Sequence, residues 1–546
     1  MAKPTLYTDR MIADYTSRGY WTKATLADVW DRNAVTRPDR EALVDYRQRL
    51  TWGQAKRWID NTALGLLSLG LKRDSLVVVQ LPNWAELALL RVCCEKAGLL
   101  CLPVLRSLRE SEMKYVLEHS EAEAIIIPWK VRGFDHLEMV RQLQPGLPRL
   151  KHVIVAGKEV PPGYLSLDEM SSRPPAHVSV AHLQDTKYPA DEFSLILLTS
   201  GTTGVPKFVE FPIASRLYLG RSYAEPIDLG PDDTVAILAP AFAGPNSLAY
   251  FGAAQVGAKI VMLDRFDVED SLRLIEKERV TVVGVVPTQL AMILASPHFG
   301  DYNLKSLRLV IATGSPLPFR QAVEAEEKMK VPLINFYGSV DAGGSTFTSP
   351  KASQQVRLLT VGKPIPGVEI KLVTDSGTEA HAGEIGEIWV RGPTMVGGYY
   401  RDPALIASSW TTEGWFKTGD YGKWNDDGNL SIAGRKKEMI IRGGQNIYPA
   451  ELENLLLTHP AVREVAVVSM PDPVMVEKAC AFVVTKPGKS FSFEDMTSFL
   501  KNKGIAAYKL PERLEMADSF PMVADGQKID KKALAQQIAD KLRTGK

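Results

Sequence analysis

Cysteine is scarce in this chain: four in 546 residues, Cys93, Cys94, Cys101 and Cys480. They form no CxxC pair, so neither a disulfide framework nor a thiolate metal site is expected. Cys93 and Cys94 fall in the apolar stretch ALLRVCCEKAGLLCLPV, where small core residues of a helix and a strand are the expected reading. The eight histidines are scattered without metal-ligand spacing, and no structural metal is expected. A charge excess is also missing. Lys plus Arg (65) nearly cancels Asp plus Glu (64), which leaves no global field to hold the protein on nucleic acid or an anionic membrane. No apolar run approaches the length of a transmembrane helix, and the opening MAKPTLYTDR has no apolar h-region. A cytoplasmic protein without membrane insertion is the expectation. The chain is 45% hydrophobic and 24% charged. That is an ordinary globular balance, with length for about three or four cores.

Short β-branched runs alternate with amphipathic stretches through the first 400 residues: SLVVVQLP, AELALLRVCCEKAG, LLCLPV, ESEMKYVLEHSEA, AIIIP, and later TVAILAP, AKIVMLD, TVVGVVP and RLVIATG. This alternation predicts βαβ units around largely parallel sheets. After about residue 355, Gly and Pro punctuate shorter strands (VGKPIPGVEIKLV, GEIGEIWVRG, GNLSIAG), as antiparallel hairpins require. The charged, glycine-rich run GRKKEMIIRGGQN precedes a compact αβ pattern of about a hundred residues. The expected fold is α/β: a large N-terminal domain of βαβ subdomains plus a β-rich subdomain (1–434), then a small mobile α+β domain (435–546).

The stretch LLTSGTTGVPK, Leu197 to Lys207, would be a poor core strand, because its glycines and hydroxyls bury little apolar area and compete for backbone hydrogen bonds. It suits polyphosphate. Thr199, Ser200, Thr202 and Thr203 offer hydroxyl donors, Gly201 and Gly204 let the backbone approach closely, and Lys207 supplies a point charge. It is not a Walker A motif, since Val205 and Pro206 separate the last glycine from the lysine.

TSGTTGVPK resembles the phosphate-binding signature of the adenylate-forming enzymes, the acyl- and aryl-CoA synthetases with their luciferase and peptide-synthetase adenylation relatives. The resemblance covers essentially the whole chain, with RPDREALVD, VVVQLPN, IATGSPLP, NFYGSVD, VGKPIPGVEI, GEIWVRGPTMVGGYY, WFKTGD and GRKKEMI following in the family's order. It implies ATP/AMP, Mg²⁺ and coenzyme A (as substrate) as cofactors. A small-molecule carboxylate, ATP and CoA are then the partners, and a homodimer is compatible with it. By the same resemblance Thr199 to Lys207 cradle the β- and γ-phosphates. Asp420 accepts from the ribose hydroxyls, Arg435 contacts the nucleotide, and Gly314, Ser315 and Pro316 with Asn335, Phe336, Tyr337 and Gly338 enclose adenine. Asp341 serves Mg²⁺, a hard cation suited to carboxylate oxygen. Lys437 holds the hinge position, and Arg442, Gly443 and Gly444 resemble the loop lining the pantetheine tunnel.

Two departures stand out. The family usually reads Tyr-Gly-x-Thr-Glu where this chain has Tyr337-Gly338-Ser339-Val340-Asp341, and Val340 offers the α-phosphate no hydrogen bond. Near the C-terminus, Gln527 intrudes between Gly526 and the lysine of PMVADGQKIDKKAL. The KIDKKAL match assigns the family's adenylating lysine to Lys528, with Lys531 and Lys532 as neighbouring competitors. Lys528 lies more than three hundred residues beyond the signature loop, so it reaches the site by closure of the small domain, which keeps water from a reactive anhydride.

Aryl-acid members commonly carry a His-Asn pair where LAPAFAGPN here has Phe242 and Ala243. Phe242 is expected to supply a flat apolar wall, with room beside it at Ala243 and Gly244. RGYW and VVVQLPN look most like the branch acting on aromatic and alicyclic acids. The function expected is an AMP-forming carboxylate–CoA ligase for a benzoate- or cyclohexanecarboxylate-like acid, running reversibly through an acyl-adenylate. A medium-chain fatty acid comes second. Loading of a carrier protein and non-catalytic nucleotide binding are the competing readings.

Overall fold

The computed structural model describes residues 2–173, 175, 179–199, 206–239, 244–315, 317–443, 445–523 and 528–544. Apolar β-branched runs build two parallel-rich sheets. One orders its strands Leu333–Asn335, Leu309–Ala312, Val282–Val285, Thr234–Ile237, Lys259–Met262, Glu41–Val44 and Arg49–Thr51. The other runs Gly398–Tyr399, Lys207–Pro212, Phe193–Thr199, Leu100–Pro103, Leu76–Val79, Ala124–Pro128, His152–Ala156 and Leu165–Ser166. Its inner strands LVVV and AIIIP are buried at every residue, which is why they read as continuous apolar runs rather than alternating ones.

The crossover from Leu76–Val79 to Leu100–Pro103 is the fully buried helix Ala85–Ala97, closed by Gly98 in the left-handed conformation (φ 68°). Any side chain there would also collide, because a Cβ would lie 2.6 Å from the Thr186 carbonyl oxygen. Cys93 and Cys94 sit in this helix, Cys101 in the strand after it and Cys480 in Val476–Thr485; all four are buried and free.

The second sheet places the Gly/Thr stretch. Phe193–Thr199 runs parallel to Leu100–Pro103, and Lys207–Pro212 returns antiparallel with Thr199 opposite Lys207. Two residues, Gly398 and Tyr399, complete that edge, with Tyr399 opposite Val209. The N-terminal segment straps the same edge: Leu6 N–H donates to the Gly397 carbonyl (2.8 Å), and Thr5 donates to Glu210 from its backbone and its hydroxyl (2.9 Å each).

From Glu369 onward the pattern is antiparallel, as the Gly/Pro punctuation requires. Glu369–Val373, Gly386–Arg391, Phe416–Trp424 and Leu430–Arg435 form a meander. The small C-terminal domain pairs Gln445–Ile447, Ile440–Arg442, Val476–Thr485 and Val462–Asp472, with Arg513–Met516 added in parallel. Its helices are Pro449–Leu456, Phe493–Asn502, which opens on a Ser492/Asp495 capping box, and Lys531–Arg543. The buried apolar clusters respect this division, those of the large domain reaching Leu430 and those of the small one beginning at Ile440, while Tyr421 meets Tyr448 edge-on across it (5.5 Å). Polar bonds span it, from Lys436 to Glu387 (3.0 Å) and from Asn446 to Asp375 (3.0 Å). Among the described residues no helix is long and apolar enough to cross a membrane.

Candidate active site

Lys207 leads out of the Gly/Thr hairpin and points at Asp341. Its Nζ lies 3.2 Å from Asp341 Oδ2 and 3.1 Å from the hydroxyl oxygen of Tyr399. Asp341 rides the turn of a small hairpin in which Gly338–Ser339 pairs with Gly343–Gly344. That turn is tight against the chain behind it. Gly343 has φ +76°, and a Cβ there would lie 2.2 Å from the Thr394 carbonyl oxygen. Val340 packs on the apolar core, Ser339 Oγ accepts from Ala342 N–H (3.0 Å), and Ser345 is fully buried. Asp341 Oδ1, Thr199 Oγ1 and Ser345 Oγ are buried and have no hydrogen-bond partner among the described residues. Each such group costs about 1–3 kcal/mol if left unpaired. Two of them beside a lysine are a ready donor set for a hard cation or a phosphate.

The nucleoside end is built where strands finish. Leu309–Ala312 and Leu333–Asn335 are parallel neighbours with Ala312 opposite Asn335. Their carboxyl ends therefore deliver Gly314 (φ +98°) and Ser315 beside Phe336, Tyr337 and Gly338. Thr313 ties the two together by donating to the Phe336 carbonyl (3.1 Å). Asp420 is only 8% exposed. It receives the Tyr337 hydroxyl at Oδ2 (2.7 Å), and Arg435 Nε lies 3.1 Å from its Oδ1. The register of the meander, Asp420 opposite Arg435, sets this pair. Burial pushes the Asp420 carboxyl up, while the Arg435 guanidinium and the Tyr337 hydroxyl pull it down. Burial, and then Asp420 itself, holds the Tyr337 phenol well above the usual tyrosine range.

Phe336 also belongs to an aromatic cluster: it meets Tyr223 at a tilt (centroids 4.5 Å apart), and Tyr223 stacks on Phe347 (5.5 Å). Gly244 opens a short 3₁₀ turn beside it, and a Cβ at Gly244 would lie 3.9 Å from Phe336 Cε2 and 3.8 Å from Thr313 Cγ2.

Lys528, in the small domain, lies on a two-residue strand opposite Val523, and its ammonium is held below the usual lysine range. Lost hydration is the first cause and Arg435 the second, with Asp420 and Glu438 opposing. Lost hydration, and then the charge of Lys207, hold the Lys437 ammonium below the usual lysine range. Lys531 is committed elsewhere, to Glu438 (2.8 Å) and Glu453 (2.9 Å). Arg442 and Gly443 face inward on their own domain: Arg442 is ion-paired to Glu512 (2.6 Å), and Gly443 N–H donates to the Met475 carbonyl (2.8 Å).

Of the residues expected from the sequence, the structure brings Lys207 against Asp341 with Thr199 opposite it on the hairpin, and Asp420 against Tyr337 and Arg435. Arg442 and Gly443 lie apart from that group. Ser200, Gly201, Thr202, Thr203, Gly204, Phe242, Ala243, Pro316 and Gly444 lie outside the described residues. Sequence reasoning passed over Tyr399, whose only signal was its place in the GGYY block.

A lysine paired with an aspartate beside unpaired oxygens, and a second, buried aspartate held by a tyrosine and an arginine, suit one class, the adenylate-forming ligases. The chain belongs to the AMP-binding enzyme family, whose model matches residues 30–400; that of the AMP-binding enzyme C-terminal domain matches residues 451–527. The 2,3-dihydroxybenzoate-AMP ligase of Bacillus subtilis is 31% identical over 99% of this chain and 98% of its own. The medium-chain fatty-acid–CoA ligase of Escherichia coli is 31% identical over 98% and 94%. Among solved structures, the anthranilate CoA ligase AuaEII in complex with anthranoyl-AMP superposes with a TM-score of 0.85 at 26% identity, covering 96% of this chain and 98% of that one. The protein is accordingly an ATP-dependent, AMP-forming acid ligase of the acyl-CoA synthetase kind.

Proposed function

We propose that this enzyme joins an aromatic or alicyclic carboxylic acid to coenzyme A, and that the arrangement described is its adenylating pose. The observation that carries the reading is the pair of side-chain groups, Lys207 against Asp341 and Asp420 between Tyr337 and Arg435, while Arg442 and Gly443 remain bound within the small domain. In this reading residues 1–434 form the adenylating domain and 435–546 the lid, turning about Lys437.

Asp420 accepts the ribose hydroxyls in place of the Tyr337 proton, and Gly314, Ser315, Asn335, Phe336, Tyr337 and Gly338 enclose the base. Lys207 meets the β- and γ-phosphates. Asp341 Oδ1 and Thr199 Oγ1, both oxygens and both unpaired among the described residues, fit Mg²⁺, and these residues would hold it. When bound, the ion neutralises phosphate charge. Lys528 reaches the carboxylate and the α-phosphate, where negative charge gathers as the carboxylate oxygen attacks phosphorus and pyrophosphate leaves. A preorganised cation there is worth more than in water because the closed lid excludes solvent. In the second step the CoA thiolate attacks the acyl carbon and AMP departs, with Arg442 and Gly443 swung inward to admit the pantetheine arm.

The acid sits beside Gly244, against the edge of Phe336 and the Tyr223–Phe347 stack. Flat rings favour a ring acid by offset or edge contact, and the 2,3-dihydroxybenzoate and anthranilate ligases among the relatives support that choice. The test is acid-dependent exchange of labelled pyrophosphate into ATP across benzoate, cyclohexanecarboxylate and C4 to C10 acids. Exchange led by the ring acids is expected. Exchange led by linear acids would move the substrate class to fatty acids, and exchange with none would remove the adenylating role.

A further inference from the structure

We propose that Tyr399 is a positioning residue for the polyphosphate end of the site: its hydroxyl holds the Lys207 ammonium in place and keeps it in register with Asp341. The inference rests on the reading of Lys207 and Asp341 given above.

The observations are geometric. Tyr399 belongs to the two-residue strand that closes the sheet edge, opposite Val209. Lys207 precedes Val209 by two residues and therefore emerges on the same face of its strand. The phenol reaches across, with Lys207 Nζ 3.1 Å from its oxygen, while the same Nζ stands 3.2 Å from Asp341. Tyr399 is 1% exposed, and Trp410 meets its ring edge-on at 5.2 Å. Trp410 packs in turn on Phe416 (4.6 Å). The ring therefore cannot swing, whereas lysine is a point charge on a flexible four-carbon stem that costs entropy to hold still.

A tyrosine hydroxyl ordinarily keeps its proton at neutral pH. It is thus a neutral hydroxyl, able to accept from the ammonium while its own proton turns to a neighbouring oxygen. That distinguishes it from Asp341. Were Asp341 to hold a metal ion and Lys207 to meet phosphate, their ion pair would weaken, whereas the uncharged hydroxyl would remain an acceptor for Lys207. The ammonium then meets the phosphates already oriented, a gain in binding that comes from preorganisation rather than from an added charge.

Tyr399→Phe keeps the ring and its contact with Trp410 and removes the hydroxyl alone. Binding of MgATP without acid, followed by calorimetry, is expected to weaken about tenfold, the loss of one hydrogen bond to a charged group. Thioester formation from supplied acyl-adenylate is expected to fall far less than MgATP binding, and the unfolding temperature to drop by no more than the few degrees that one lost hydrogen bond accounts for. The second readout is a cycle with Lys207→Met, because a residue acting through Lys207 has little left to lose once the ammonium is gone. Equal ATP affinity in wild type and Tyr399→Phe, or losses that simply add in the double variant, would overturn the inference while leaving adenylation intact. Absence of ATP binding by the wild type would overturn the proposed function and the inference with it.

Discussion

Replacing Glu210 by glutamine should make the protein more stable at alkaline pH and change it little at acid pH. Glu210 is 3% exposed on the strand that leaves the phosphate hairpin, and its carboxylate accepts from Thr5 N–H and Thr5 Oγ1, both at 2.9 Å. No cation lies within 4 Å of it among the described residues. Burial pushes its pKa up from 4.5 to about 7, with the Thr5 donors opposing. A carboxyl whose folded pKa is raised binds more protons in the native state, so stability grows as pH falls through 7 and is lost as pH rises. At pH 8 the ionised group costs about 3 kcal/mol relative to the unfolded chain, and at pH 5 less than about 1 kcal/mol, at 1.36 kcal/mol per pKa unit. Glutamine cannot ionise and fills the same space. The advantage of Glu210→Gln should therefore grow by about 2–3 kcal/mol between pH 5 and pH 8, equivalent to about 3 °C in the melting temperature of a domain this size. Glu95, likewise raised to about 7 by burial, contributes the same slope to both proteins and cancels in the difference. Paired thermal melts from pH 5 to pH 8 test this. A pH-independent difference would show that Glu210 is already ionised without penalty.

Three further outcomes follow from the site. Lys528→Ala should slow acid-dependent pyrophosphate exchange by about 10² or more and spare thioester formation from supplied acyl-adenylate; equal loss in both half-reactions would refute its assignment. Gly343→Ala, strained at φ +76° and driven into the Thr394 carbonyl, should displace the Asp341 turn and raise the Mg²⁺ concentration needed for half-maximal exchange; an unchanged Mg²⁺ titration would count against that turn as the metal site. Lys437→Pro should fix one lid pose and leave one half-reaction running, and normal rates in both would place the hinge elsewhere.

The sequence announced the parallel sheets because strands buried on both faces, such as LVVV and AIIIP, must be apolar throughout. Strand order was not legible: that Gly398–Tyr399 closes the edge beside Lys207–Pro212 depends on pairing between segments almost two hundred residues apart. For the same reason Tyr399 went unread while Lys207 was identified from its own neighbours. The KIDKKAL string assigned the role to Lys528 with Lys531 and Lys532 as competitors, and the ion pairs of Lys531 with Glu438 and Glu453 were not visible in it. Arg442 shows the reverse: its match to a tunnel loop was visible, whereas its ion pair with Glu512 exists only in the folded small domain. Phe242 and Ala243, on which the reading of the acid leaned, lie outside the described residues, so the aromatic cluster of Phe336, Tyr223 and Phe347 carries that argument instead.

The central claim is tested most directly by mass spectrometry of the purified protein with ATP, Mg²⁺ and a panel of ring and linear acids, with and without CoA. The account predicts acid-dependent AMP and pyrophosphate, an acyl-adenylate that builds up without CoA, and its conversion to the CoA thioester of a ring acid when CoA is added. An acyl-adenylate indifferent to CoA, or ADP and orthophosphate in place of AMP and pyrophosphate, would contradict it.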